Sequence, residues 1–213
     1  MRNDPDIHHE LLKEKPFGEY SKSNLLDLTN RLISDNPLEN KYLIEPLSYI
    51  WGNLKGTHRT EFNQKMPKDL LPIRWLPKVK NYLHSIKFHS TPRGQGHVYF
   101  IPVKLNKFVS IGHQTKQYGV YIGSSKWSPE KRLSQHLEGG HLANREVCKY
   151  SYQFYLVSLS HIFGPISRME ADRIELHCLK YLREDANFKN LPKKIILGDN
   201  TDQKLTDEDL SGS

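Results

Sequence analysis

Q-Y-G-V-Y-I-G-S-S-K-W-S-P-E-K-R-L-S-Q-H-L, residues 117–137, is the stretch that decides how this chain is read. Val120, Tyr121 and Ile122 form a short β-branched and aromatic run, the residue types that suit a pleated strand. Gly123, Ser124 and Ser125 end it. Ser128-Pro129-Glu130 then reads as a helix start, with a serine cap and a proline whose fixed φ suits the first helical position. On the helix that follows, Arg132 and His136 stand four residues apart and share a face. The strand thus delivers a tyrosine, and the helix a permanent cation and a titratable ring, to one region. That set suits phosphodiester hydrolysis: arginine can stabilise a pentacovalent phosphate, while tyrosine or histidine takes the proton of an attacking water.

Tyr121-Ile122-Gly123 followed by Arg132 and His136 resembles the second half of the GIY-YIG nuclease signature. The first half resembles His97-Val98-Tyr99, at the start of the apolar run V-Y-F-I-P-V. Two departures stand out. His97 occupies the place where the family usually has glycine, with Gly96 one position early, and the segment between Tyr99 and Tyr121 is longer than in short family members. The resemblance spans roughly Gly96 to Leu191. It implies a catalytic set of Tyr99, Tyr121, Arg132 and His136, closed by Asn187, and a divalent metal, Mg²⁺ or Mn²⁺, held by a carboxylate on the last helix. It leaves open which tyrosine is the base.

Outward from that stretch, the coarse order is strand (97–103), enlarged hairpin connection, strand (118–123), helix (128–137), strand (152–159, Y-Q-F-Y-L-V-S-L) and helix (167–183). The expected fold class is α+β: a small antiparallel three-stranded sheet flanked by helices, with a helical N-terminal extension. The turn-rich Thr91-Pro92-Arg93-Gly94-Gln95-Gly96 sets the expected boundary, giving an extension over 1–95, a catalytic module over 96–195 and a disordered acidic tail over 196–213. Within the extension, Leu25, Leu28 and Leu32 predict an amphipathic helix from Ser23. An apolar group from Tyr42 to Trp51 is expected to be broken by Pro46. Residues 52–68 read as a polar, basic loop, and a helix is expected from about Pro77 to Phe88, with Val79, Tyr82, Leu83 and Ile86 inward.

Two residues compete for the metal. Ser167-Arg168-Met169-Glu170 is an S-x-x-E capping box, which gives Glu170 a structural task at the helix start. Glu175 lies about 140° further round the helix, on the apolar stripe with Ala171, Cys178, Leu179 and Leu182. A carboxylate set into a packing face is costly unless it is paired or binds metal. The family pattern also favours Glu175, since Cys178, Leu179 and Asn187 follow it at the expected places, whereas Met169-Glu170-Ala171 resembles some members' sequence around their carboxylate. Glu175 is the first choice and Glu170 the second. Cys148, Cys178, His136, His141 and His177 match no common zinc-finger spacing.

Charge is distributed unevenly. Residues 1–45 carry 6 basic and 9 acidic groups, net −3; residues 46–96 carry 9 and 2, net +7; residues 97–195 carry 15 and 8, net +7; residues 196–213 carry 1 and 5, net −4. Two consecutive basic blocks suit a polyanion, because counterion release drives such binding. Lys65 and Lys68 in the polar segment, Lys126 after the second strand, and Arg145 in G-G-H-L-A-N-R are the expected DNA contacts. No run approaches the ~18 apolar residues of a membrane span, and M-R-N-D-P-D-I-H-H lacks a signal-peptide core. With two cysteines as free thiols, a cytoplasmic protein is expected.

Taken singly, each site residue has a plainer reading. Strand tyrosines are usually core, a helix arginine usually meets solvent, and a histidine near a helix end favours the dipole. Their joint occurrence in one order favours a metal-dependent DNA endonuclease. With the catalytic module after a basic helical extension, the layout resembles a type II restriction endonuclease, acting on double-stranded DNA as a homodimer because one metal site per chain cuts one strand. A phage or mobile-element nuclease, a repair nuclease and an inactive DNA-binding module are the alternatives.

Overall fold

The computed structural model describes residues 26–27, 29–30, 43–66, 72–104, 118–141, 143–184 and 196–198. The chain forms two compact units that divide between Asn81 and Tyr82. Within the described residues it is an α+β protein of seven helices and one small sheet.

In the first unit, residues 26–27 and 29–30 are helical, with Leu26 and Thr29 buried; Leu25, Leu28 and Leu32 lie outside the described residues. Helix α1 (Ile44–Asn53) buries Ile44, Leu47 and Ile50. Pro46 does not break it. It sits in the first turn, where a backbone N–H has no intrahelical acceptor to lose. Two residues later the chain enters α2 (Gly56–Lys65), so most of the expected 52–68 loop is a helix. It carries no apolar stripe because one residue, Phe62, is its whole buried contribution. Helix α3 (Leu76–Ser85) follows, with Val79 and Leu83 buried, and Tyr82 and Ile86 part-buried. It carries the chain into the second unit.

The second unit is built on β1 (His97–Lys104) and β2 (Tyr118–Ser125), paired antiparallel so that Tyr99 faces Gly123 and Ile101 faces Tyr121. Side chains alternate across a strand, so Tyr99, Ile101, Val103 and Tyr121 share one face. They pack there with Val147, Leu133, Tyr150 and Tyr155. Leu133 comes from α4 (Pro129–Glu138), and Val147 and Tyr150 from α5 (Arg145–Tyr150). Helix α4 starts as its sequence dictates: Ser128 Oγ accepts the Lys131 N–H at 3.4 Å and Pro129 holds the first position. A single turn, α6 (Val157–Ser160), and the long α7 (Arg168–Glu184) complete the helices. Helix α7 covers the opposite face of the sheet, burying Ala171, Ile174, Glu175, Cys178, Leu179 and Leu182.

The third strand is not where the sequence puts it. Residues 152–159 form no regular ladder, although they do run beside β1: Tyr152 N–H donates to Pro102 O at 3.0 Å and Leu156 N–H to Phe100 O at 2.7 Å. The two contacts do not share one register, since Leu156 meets Phe100 two residues out of step with the Tyr152–Pro102 pairing. Gln153, at φ 61, turns the chain out of the ladder, and α6 takes over at Val157. Pro102 fits this edge because its missing N–H would point away from β2. The strand that does extend the sheet is β3 (Ile196–Gly198), parallel to β2 with Tyr121 opposite Leu197. The sheet order is therefore β1-β2-β3, mixed rather than wholly antiparallel, and the first three residues of the acidic tail are ordered in it.

The expected boundary at 91–96 is also displaced. That turn is held within the second unit by Thr91 N–H to Pro165 O and Gly96 N–H to Ile166 O, both 2.8 Å. A Cβ on Gly96 would lie 2.2 Å from Ser167 O, so glycine is required there by a close backbone approach.

Candidate active site

Four of the expected residues meet on the α4 side of the sheet. Tyr99 and Tyr121 project from paired strands, with ring centroids 5.9 Å apart and hydroxyls at 3.5 Å. Arg132 and His136 reach the same point from α4. Arg132 Nε donates to Tyr99 Oη at 3.4 Å, and His136 Nε2 lies 3.2 Å from the same oxygen. Arg132 is 7 % exposed, while Tyr99, Tyr121 and His136 are fully buried.

The histidine's tautomer follows from its other nitrogen. His136 Nδ1 accepts the Asn144 backbone N–H at 2.9 Å, so the ring proton belongs on Nε2. Nε2–H then donates to Tyr99 Oη. The 3.4 Å approach of Arg132 Nη2 to Nε2 becomes a pair of donors converging beside one phenol oxygen. Arg132 Nε and His136 Nε2 thus both aim their hydrogens at Tyr99 Oη, one donor cationic and one neutral. Asn144 is itself held, because its Oδ1 accepts the Val147 N–H at 3.2 Å at the start of α5. The Arg132 guanidinium keeps its orientation through Nη1 to Gln135 Oε1 at 2.8 Å.

Gly123 is the counterpart of this packing. A Cβ there would lie 2.4 Å from Tyr99 Oη, 2.5 Å from its Cζ and 3.1 Å from Tyr121 Cε1. The glycine after Tyr121-Ile122 leaves the space into which Tyr99 leans.

The two carboxylates have separate fates. Glu170 is committed to structure: both oxygens take Arg173, at 2.7 and 2.9 Å, and Oε1 accepts the His89 N–H at 3.0 Å. The Arg173 hydrogen bonds, with the His89 amide assisting against the cost of burial, hold its carboxyl below the usual carboxylate range. Half of the expected capping box is present, as Ser167 Oγ accepts the Glu170 N–H at 3.1 Å. Glu175 is fully buried on the stripe that its spacing predicts. Its Oε2 accepts a hydrogen bond from Ser124 Oγ, which also contacts Asp172 Oδ1. Burial pushes the neighbouring Cys178 thiol upward, and the Glu175 charge adds to that shift.

Side chains alternate, so Gly123 faces Tyr99 while Ser124 faces α7. Glu175 therefore approaches β2 from the side opposite the tyrosines. Ser124, Asp172 and Glu175 offer three hard oxygen ligands, the donor type that Mg²⁺ or Mn²⁺ prefers. Among the described residues no group of three His, Cys, Asp or Glu side chains is assembled for a metal. Cys148 is exposed and Cys178 buried.

Among the expected DNA contacts, Lys126 is exposed with Nζ 5.1 Å from the Trp127 ring centroid, and Arg145 is exposed at the start of α5. Lys65, in the first unit, is paired with Glu61 at 2.8 Å. Lys68 and Asn187 lie outside the described residues. The sequence reading missed Asp172, Ser124 as a carboxylate donor, and the Asn144 amide. Asp172 was within reach of inspection, being three residues before Glu175 on one helix face, whereas a backbone donor leaves no mark in a sequence.

Among the described residues, no helix is long and apolar enough to cross a membrane. The chain matches no protein-family model, no curated protein and no solved structure.

Proposed function

We propose that this chain is a divalent-metal-dependent endonuclease of the GIY-YIG type, hydrolysing phosphodiester bonds of double-stranded DNA. The observation that carries the reading is the convergence of Arg132 Nε and His136 Nε2 on Tyr99 Oη, beside Tyr121. Tyr99 is the base in this reading. Both donors strengthen when its oxygen carries negative charge, so it takes the proton of an attacking water as a phenolate. Arg132, the most exposed of the four, carries the cation that offsets charge growing on the phosphate. His136 holds Tyr99 in place through Nε2–H, its tautomer set by the Asn144 amide.

Glu175 would hold Mg²⁺ or Mn²⁺, with Ser124 and Asp172 beside it, and Asn187 would close the site. Such an ion supplies stabilisation of the leaving oxygen. Glu170 is the weaker candidate, because Arg173 already neutralises it. Lys126, Arg145, Lys65 and Lys68 would contact phosphates. We assign the role of a type II restriction endonuclease, working as a homodimer in the cytoplasm, from the order of a basic helical extension before the catalytic module. A phage, mobile-element or repair nuclease is the alternative within the same chemistry.

One observation favours a second reading, an inactive DNA-binding module. Tyr99, Tyr121 and His136 are fully buried, as a purely structural polar cluster would be. Plasmid digestion with and without Mg²⁺ separates these outcomes. Discrete fragments support restriction, nicks without site preference support mobility or repair, and DNA binding without cleavage supports the inactive module.

A further inference from the structure

The polar helix α2 has a composition that packing does not account for. Phe62 anchors it, and the exposed side chains Thr57, Thr60, Glu61 and Gln64 fall within about 100° of one another on the side away from Phe62 at ~3.6 residues per turn. Among the described residues the side-chain hydrogen bonds of this solvent face lie within α2, as Thr60 Oγ1 donates to Gly56 O at 3.4 Å. Only the Glu61–Lys65 ion pair, an i,i+4 contact worth little at the surface, uses any of them between side chains.

The side of the helix nearer Phe62 carries an unusual arrangement, for Arg59 lies about 60° from Phe62 and about 100° from Thr60 at ~3.6 residues per turn. The Arg59 guanidinium carbon lies 4.2 Å from the Trp51 ring centroid, and that of Arg74 lies 5.5 Å from it. Trp51 Nε1 also donates to Asn63 Oδ1 at 3.2 Å, so α1 and α2 are tied through one indole. Arg59 Nε is buried without a hydrogen-bond partner, and among the described residues Arg59 makes no ion pair. With Nε buried and Cζ over the indole, the two terminal Nη groups are the donors left to pair with a planar pair of acceptors. The joint between α1 and α2 is only Leu54 and Lys55, which gives a buried helix followed at once by an exposed polar one. A helix-turn-helix element has the same order, with a turn of about three to four residues, and its second helix enters the major groove of DNA.

We infer that α2 reads base edges in the major groove of duplex DNA, with Gln64 and Thr60 on its outward face and Arg59 held against Trp51 as a preset guanine reader. Arg59 offers two parallel N–H donors to guanine O6 and N7, and the Gln64 amide can pair with adenine N6 and N7. Lys55, immediately before the helix, is exposed at the position from which a phosphate contact fixes register. This inference rests on the DNA-directed reading above and adds to it the part that supplies sequence preference.

The test is selection from a pool of randomised DNA duplexes by the full chain, repeated with Thr60→Ala/Gln64→Ala and with Arg59→Lys. The wild type is expected to enrich one motif. The double variant should lose preference by about ten-fold at one or two positions, the discrimination of a good bidentate contact. Arg59→Lys keeps the charge but loses the fork, so preference for one guanine should fall while the salt dependence of binding stays unchanged. Thermal melting checks that each variant folds; Thr60 and Gln64 are both exposed. A wild-type chain that enriches no motif, or variants that enrich the wild-type motif undiminished, overturns the inference. Motif enrichment lost in the variants without plasmid cleavage by the wild type would leave α2 a reader and defeat the nuclease reading instead. Cleavage at unchanged sites by both variants would do the reverse.

Discussion

Gly123→Ala tests the site through its packing. The new Cβ would stand 2.4 Å from Tyr99 Oη and 2.5 Å from Cζ, where ordinary contact begins at 3.4 Å. The tip of the tyrosine must therefore retreat by about 1.0 Å, the difference between 3.4 and 2.4 Å. Its oxygen now lies 3.2 Å from His136 Nε2 and 3.4 Å from Arg132 Nε, so a shift of that size changes both contacts. Overpacking of a filled core costs about 1–3 kcal/mol, and a misplacement of ~1 Å at a reacting group costs on the order of 10²-fold in rate. Thermal unfolding reads the first effect, and single-turnover plasmid cleavage with Mg²⁺ reads the second. Tyr99→Phe removes the oxygen and leaves the ring. In that background Gly123→Ala should still destabilise, through Cζ, but should cause no further loss of rate, a non-additivity that marks one shared site. If Gly123→Ala melts like the wild type, Tyr99 does not lean on Gly123. If it melts early yet cleaves at full rate, the Tyr99 hydroxyl has no part in the chemistry.

Three further outcomes are expected. Arg132→Ala should lower the single-turnover rate far more than DNA affinity, because its interaction grows in the transition state; an affinity loss alone would make it an ordinary phosphate contact. Glu175→Gln should abolish cleavage while binding survives. Glu170→Gln should leave cleavage intact and cost about 1–3 kcal/mol in its contacts to Arg173 and the His89 amide. Since the folded-state pKa of Glu170 is depressed, that stability is present at neutral pH, and the melting gap between wild type and Glu170→Gln should close as pH falls through the lowered value. Lys65→Glu with Lys68→Glu should weaken DNA binding and flatten its salt dependence by about one unit of slope per lost phosphate contact; unchanged affinity and slope would remove the segment from the interface.

What the sequence made legible was local. The β2–α4 passage carries its own punctuation, from β-branched run to glycine, capping serine and helical proline, and each forms as its chemistry requires. The inward stripe of α7 was legible for the same reason, because a 17-residue helix repeats its period often enough to be seen. Three features were not. Helix α2 hides because its single anchor, Phe62, produces no periodicity. Residues 152–159 have the composition of a strand, and a composition cannot announce that Gln153 will adopt φ 61 and slip the register. The third strand is three residues long and pairs across more than seventy positions of chain, so its partner is chosen by tertiary packing alone.

The same alternation that fixes the two sheet faces constrains any chemistry at this site. Tyr99 Oη rests against Gly123 on one face, and Glu175 reaches Ser124 on the other. Adjacent residues of one strand thus carry the two halves of the proposed machinery to opposite sides. A phosphate served by both halves cannot lie flat on either face. It must straddle the end of β2 at Gly123–Ser125, where the side chains give way to the Lys126-Trp127 turn before α4. Lys126 and Lys131 both lie near the exposed Trp127 ring, with Nζ atoms 5.1 and 3.5 Å from its centroid, so positive charge collects at that end. Arg132 begins one residue beyond Lys131, on the helix that starts there. A base acting there would need the Tyr99 oxygen, buried in this structure, presented to the attacking water, and the Arg132 and His136 contacts would offset the cost of placing charge on it away from solvent.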